Sequence, residues 1–182
     1  MKNKQSKSKT GTSPERLVLA LIEHGEFEQA LVLVDNLLST EATKNSTVYL
    51  YTKALALFAS NKREDPEKKD EQQNQANNYL HQAFASNNLV LPLMVERINT
   101  LPRVLKKNEK PRKRLPQNPQ QLEAAKYVSV WFGSWLQTEN AFDWLGNEFV
   151  EWTKATKLER IKAQQEKMLA NSKKLDIDFF LN

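Results

Sequence analysis

Gly25-Glu26-Phe27-Glu28-Gln29-Ala30 lies between two apolar-periodic segments, and its reading decides the fold. Gly25 ends what precedes it, because glycine alone enters the left-handed region at no steric cost. Upstream, Ser13-Pro14-Glu15-Arg16 opens a helix, with serine at the cap, proline in the first turn and an acid beside the helix N-terminus. In that helix Leu17, Ala20, Leu21 and His24 make one face, with Val18 and Ile22 beside it. Downstream, Glu28 to Leu38 places Ala30, Leu31, Val34, Leu37 and Leu38 at helical spacing. Two helices joined by so short a break are expected to lie antiparallel, as an αα-hairpin.

The same pattern returns further along. Thr47 to Ala59 is apolar at Tyr51, Ala54, Leu55 and Phe58, and Gln75 to Ser86 carries Ala76, Tyr79, Leu80, Ala83 and Phe84. Between them, residues 61–73 are charged, contain Pro66 and hold no large apolar side chain, as an exposed loop or helix extension does. Gly25 to Ala30 resembles the Gly-Asp-Tyr-Glu-Glu-Ala turn of the tetratricopeptide (TPR) family, and Ala54, Ala76 and Ala83 fit that family's small positions. Leu37 departs from it, standing where a small residue is usual, and residues 61–73 would be an insertion. The resemblance covers about residues 14–88 and implies a groove lined by the first helix of each hairpin. Its positions here are Leu19, Ile22, Glu23, Tyr51, Leu55 and Phe58. Such hairpins cannot bury a core alone, so the rest of the chain has to cover them.

The second half supplies apolar surface. A short helix is expected from Asn87 to Leu101-Pro102, where proline should stop it. Residues 103–118 read as a basic, proline-containing linker. Residues 119–152 read as an aromatic-rich helical pair carrying Tyr127, Trp131, Phe132, Trp135, Phe142, Trp144, Phe149 and Trp152. Their helical spacing favours core packing over a stacking platform for bases. From 153 to 182 a charged helix with a thin stripe (Leu158, Ile161, Gln165, Met168, Leu169) leads to an apolar C-terminal peptide, Leu175 to Leu181.

A second resemblance rests on Glu123-Ala124, Tyr127, Trp135, Thr138, Ala141 and Trp144-Leu145, preceded by Asn87, Asn88, Val90, Pro92 and Leu101-Pro102. In order and spacing these are similar to a segment that follows degenerate TPR helices in the suppressor-of-tumorigenicity-7 family. Asn88 stands where that family has its first proline. The family's membrane-spanning segments have no counterpart here, so its membrane placement does not carry over. No catalytic residue comes with the resemblance.

Composition narrows the chemistry. In 182 residues there are four glycines and no cysteine, which excludes disulfides, thiolate metal sites and cysteine nucleophiles. The two histidines, His24 and His81, are far apart in sequence, and no phosphate-loop, dinucleotide or nucleophile-elbow motif occurs. The expectation is a protein without cofactor, metal or enzymatic activity. No apolar stretch of signal-peptide or membrane-span length is present, and the expected location is the cytoplasm.

The net charge of +5 is unevenly spread, with the helical segments acidic and residues 1–12, 103–114 and 153–182 basic. Residues 1–12 are too polar to offset the entropy of ordering and are expected to be a disordered tail. Lys106, Lys107, Lys110, Arg112, Lys113 and Arg114 form a candidate anion-binding run, able to contact phosphates of a nucleic acid. No aromatic interrupts that run to stack a base. The leading expectation is an all-α protein of TPR-like hairpins in an α–α superhelix, capped by the aromatic-rich half. It would act as a scaffold or adaptor that binds another protein or peptide in its groove, with nucleic-acid association through 103–114 as the alternative.

Overall fold

The computed structural model describes residues 13–61, 66–107 and 118–180, with side-chain surroundings for 13–61, 69–100 and 118–166. Residues 1–12 and 108–117, on which the expectations of a basic tail and most of the linker fall, lie outside the described residues. The described residues form seven helices and no strand: α1 (Pro14–Glu23), α2 (Phe27–Leu38), α3 (Thr47–Ser60), α4 (Pro66–Ser86), α5 (Val90–Lys107), α6 (Pro119–Gln137) and α7 (Ala141–Phe180).

The first turn forms as its residues dictate. Gly25 has φ 76°, its amide bonds to the Ile22 carbonyl at 3.0 Å, and the Glu26 amide bonds to Leu21 at 2.8 Å. This is the paired closure that satisfies the last carbonyls of a helix. At the start of α6, the Asn118 side chain accepts from the Gln121 amide at 2.8 Å, and Pro119 occupies the first helical position.

Helix α3 lies at the centre. It packs against α2 and α4, and α6 and α7 reach it from the far end of the sequence. Tyr49, Leu50, Tyr51, Thr52, Ala54, Leu55, Ala56, Leu57 and Ala59 are all buried, so this helix has no solvent face. Ala30, Ala54, Ala76 and Ala83 are wholly buried, as close helix approach needs. Polar links cross the same contacts. Lys53 of α3 pairs with Asp35 of α2 and sits 3.8 Å above the Tyr79 ring of α4. The Tyr49 hydroxyl donates to Glu15 of α1 at 2.8 Å.

Three boundaries or faces differ from the sequence reading, and at residues 66–73 the helix extension it left open is the one that forms. In α1 the buried residues are Val18 and Ile22, while Leu17 is exposed; the helix packs against both α2 and α6. Helix α4 begins at Pro66, so most of the charged segment 61–73 is helical. Helix α5 runs through Pro102 to Lys107, so the expected linker begins as helix. Proline removes one backbone bond there, but its fixed φ is already helical. Finally, the charged helix and the C-terminal peptide join the second aromatic helix in one 40-residue α7, about 60 Å long at ~1.5 Å per residue. No proline or glycine follows Gly146 to interrupt it.

Among the residues of α7 whose surroundings are described, the first part packs on the body. Phe149 and Trp152 pack on Phe84 with ring centroids 5.2 and 5.6 Å away, whereas residues 157–166 are exposed throughout. Leu158→Ala and Ile161→Ala are therefore expected to change stability by less than about 0.5 kcal/mol, read as the urea unfolding midpoint. A larger loss from either would mean that this stretch is covered in solution.

A candidate docking cleft at the end of the helical groove

The six groove positions expected from the sequence separate into two groups. Tyr51 and Leu55 are completely buried, and Phe58 is partly covered. The Tyr51 ring lies 5.3 Å from that of Tyr127 in α6, and its hydroxyl donates to the Asn87 carbonyl at 2.8 Å. Phe58 stacks on Trp144 of α7 at 4.3 Å with the rings 6° from parallel. The α3 part of the groove is thus filled by the chain's own aromatic-rich half. Leu19 packs half-buried against the core. Ile22 and Glu23, at the end of α1, border an open space.

Around the filled part, polar atoms are paired within the core. Trp135 Nε1 donates to the Tyr127 hydroxyl at 2.9 Å, and Trp144 Nε1 donates to Asn77 at 2.9 Å. The Asn87 side chain, 1% exposed, donates to the Gln120 carbonyl at 2.9 Å and to Glu123 at 3.2 Å, fastening the α4–α5 corner to α6. Burial pushes the Tyr127 and Tyr51 phenols well above their ordinary range. Tyr49 is pushed up to about 12, first by burial and then by its bond to Glu15. The Glu15 carboxyl is held below the usual range, chiefly by a backbone hydrogen bond.

The open space is a cleft of about 380 Å³. One wall is the α1–α2 turn, with Ile22, Glu23, His24, Gly25 and Phe27. The other is the end of α6 and the residues after it, Ser134, Gln137, Thr138 and Glu139, with Ala59 of α3 between them. The α6 wall closes with two bonds on one carbonyl: the Thr138 amide and hydroxyl both donate to Ser134 O, at 3.0 and 2.9 Å. The Ser134 hydroxyl is itself buried and has no hydrogen-bond partner, in a residue only 4% exposed. A buried polar atom left unpaired is costly, and the Asn61 and Gln72 side-chain oxygens are in the same situation.

His24 therefore faces the cleft, whereas His81 of α4 bonds to Glu148 of α7 at 2.9 Å and ties those helices together. Sequence reasoning missed Ser134, Gln137 and Glu139. The available signal was a serine between Phe132 and Trp135, a polar residue on a helix otherwise read as buried. Of the candidate anion-binding residues, Lys106 and Lys107 fall in the last turn of α5, and Lys110, Arg112, Lys113 and Arg114 lie outside the described residues. Among the described residues no group of three His, Asp or Glu could hold a metal ion, and no helix is long and apolar enough to cross a membrane. No family model, no curated protein and no solved structure matches the chain.

Proposed function

We propose that the protein is a non-catalytic interaction module of TPR-like helical hairpins, which docks a protein or peptide at the cleft between the α1–α2 turn and the end of α6. The observation that carries this reading is the open cleft of about 380 Å³ between the α1–α2 turn and the end of α6, bordered by Ile22 and Glu23, two of the six expected groove positions. The resemblance of Gly25 to Ala30 and of residues 76–145 to degenerate TPR proteins of the suppressor-of-tumorigenicity-7 type supports the same reading. A peptide-binding protein needs a rigid wall more than a reactive group, and the filled core behind the cleft supplies one.

Selection of random displayed peptides against the purified protein tests the proposal. Gln137 is exposed on the cleft wall, so Gln137→Trp fills the space without entering the core. Peptides recovered on the unaltered protein are expected to bind this variant at least tenfold more weakly while its melting transition is unchanged. Equal binding to both proteins would remove the cleft as the docking point.

A further inference from the structure

We infer that the exposed part of α7 is one helix of an antiparallel coiled coil, completed by a second copy of this chain. The surface concerned lies apart from the cleft. Residues 157–166 are exposed throughout, with Leu158 at 53% and Ile161 at 40%. The helix nevertheless runs on to Phe180. Helices draw most of their stability from packing an apolar face, so an exposed one of this length calls for a partner. The spacing of that face names the kind. From Leu158 and Ile161, alternating steps of three and four residues continue through Gln165, Met168, Ser172 and Leu175 to Phe179, the a and d positions of successive heptads. Of the other large apolar residues in this stretch, Leu169 flanks the line and only Ile177 stands off it. Two positions in seven make the narrow seam of a coiled coil, whereas a helix lying on a large core shows a wider stripe. Gln165 and Ser172 are the polar members, and polar residues at a positions weaken the seam, so assembly depends on concentration.

Charge complementarity selects the occupant and its direction. The e and g positions that flank the seam carry Lys157 and Lys162 in its first half and Asp176 and Asp178 in its second. No acid stands at these positions in the first half and no base in the second. A helix basic along one half and acidic along the other is complementary to its own reverse, which is the requirement of a two-fold pair of identical chains. Parallel pairing sets each g position against the e position five residues on, and so Lys157 against the partner's Lys162. Antiparallel pairing sets g against g. With Leu158 opposite the partner's Leu175 and Ile161 opposite the partner's Ser172, Lys157 comes opposite the partner's Asp178, twice by symmetry.

Sedimentation equilibrium of the full chain over a thousandfold range of concentration tests the inference. The mass is expected to rise from one chain to two and to stop there. In the dissociated chain Leu158→Ala and Ile161→Ala keep the small cost given above, and a further loss appears only at concentrations where the dimer forms. Ile161→Asp puts a charge on the seam at an exposed position, so it should weaken the dimer at least tenfold while the dissociated chain melts as before. Lys157→Asp should weaken it several-fold, and Lys157→Asp/Asp178→Lys should restore it. The chain holds no cysteine, so introduced thiols report on direction. Lys157→Cys and Asp178→Cys proteins, mixed and oxidised, are expected to link unlike chains in preference to like ones. A mass of one chain at every concentration up to about 1 mM would overturn the inference. So would a dimer that Ile161→Asp leaves intact, which would place the contact elsewhere. A dimer strengthened by Lys157→Asp, or disulfides between like chains, would overturn the antiparallel arrangement.

Discussion

Trp135→Ala is expected to cost about 3–5 kcal/mol, the range for removing a fully buried aromatic side chain from a packed core. Trp135 has no exposed surface, and its ring lies 6.1 Å from that of Trp144 at an interplanar angle of 21°. It also supplies the indole N–H that the buried Tyr127 hydroxyl accepts. Truncation therefore opens a cavity where α6 and α7 meet and strips a buried hydroxyl of a donor, two losses that add in the same direction. Domains of this size are stable by about 5–15 kcal/mol in total, so the variant should sit near its unfolding threshold at room temperature. Urea denaturation followed by circular dichroism reads the effect directly. Trp135→Phe keeps most of the ring area and should lose clearly less. If Trp135→Ala stayed within about 1 kcal/mol of the unaltered protein, the aromatic half would not share a core with the hairpins.

The second large effect is loss of stability in alkali. Tyr51 and Tyr127 are held neutral by burial, with folded pKa values raised well above the ordinary value near 10. Above pH 10 the unfolded chain releases phenolic protons that the folded chain still keeps. Unfolding is then favoured, so the contribution of these groups is complete below pH 10 and is lost as pH rises toward their folded values. Each tyrosine removes about 1.4 kcal/mol per pH unit in that window, about 2.8 kcal/mol for the pair. Tyr49 adds to the loss until it ionises in the folded state near 12. Unfolding midpoints at pH 9, 10 and 11, with tyrosinate absorbance followed in parallel, check this. Ionisation should coincide with unfolding rather than precede it. Tyr51→Phe should halve the pair's share of the slope, after an initial cost of about 1 kcal/mol for the hydrogen bond to the Asn87 carbonyl. A slope no steeper than that of exposed tyrosines would contradict the buried placement of both rings.

The helices themselves were legible because glycine, proline and apolar spacing are local signals. Ser13-Pro14, Gly25 and Pro119 mark real helix ends. What escaped was set by neighbours distant in sequence. The sequence shows one apolar face on α3, since Thr52, Ala56, Ala59 and Ser60 look compatible with solvent, yet all are buried because α6 and α7 arrive on that side. The choice between Leu17 and Val18 as the inward residue of α1 depends on where α6 lies, which periodicity alone does not encode. Pro102 and the 40-residue α7 were misjudged for a different reason. Helix propensity near a proline or along a Lys/Gln/Glu/Ala-rich run sets a preference, and no local residue there enforces a stop. At the candidate site, Ile22 and Glu23 were implied by the resemblance to TPR hairpins. Ser134 and Glu139 could not be, since they meet the α1–α2 turn only through the return of α6.

The enclosure of α3 also has a consequence in time. A ribosome delivers α3 well before α6 and α7, and Phe58 precedes its stacking partner, Trp144, by nearly half the chain. At about 5–20 residues per second, the faces of Tyr51 and Phe58 that Tyr127 and Trp144 cover stay open for about 4–17 s while residues up to Trp144 are made. Over that interval the newborn chain presents apolar surface of α3 that the finished protein hides. How long that surface is exposed during synthesis is therefore set by the order of the helices along the chain.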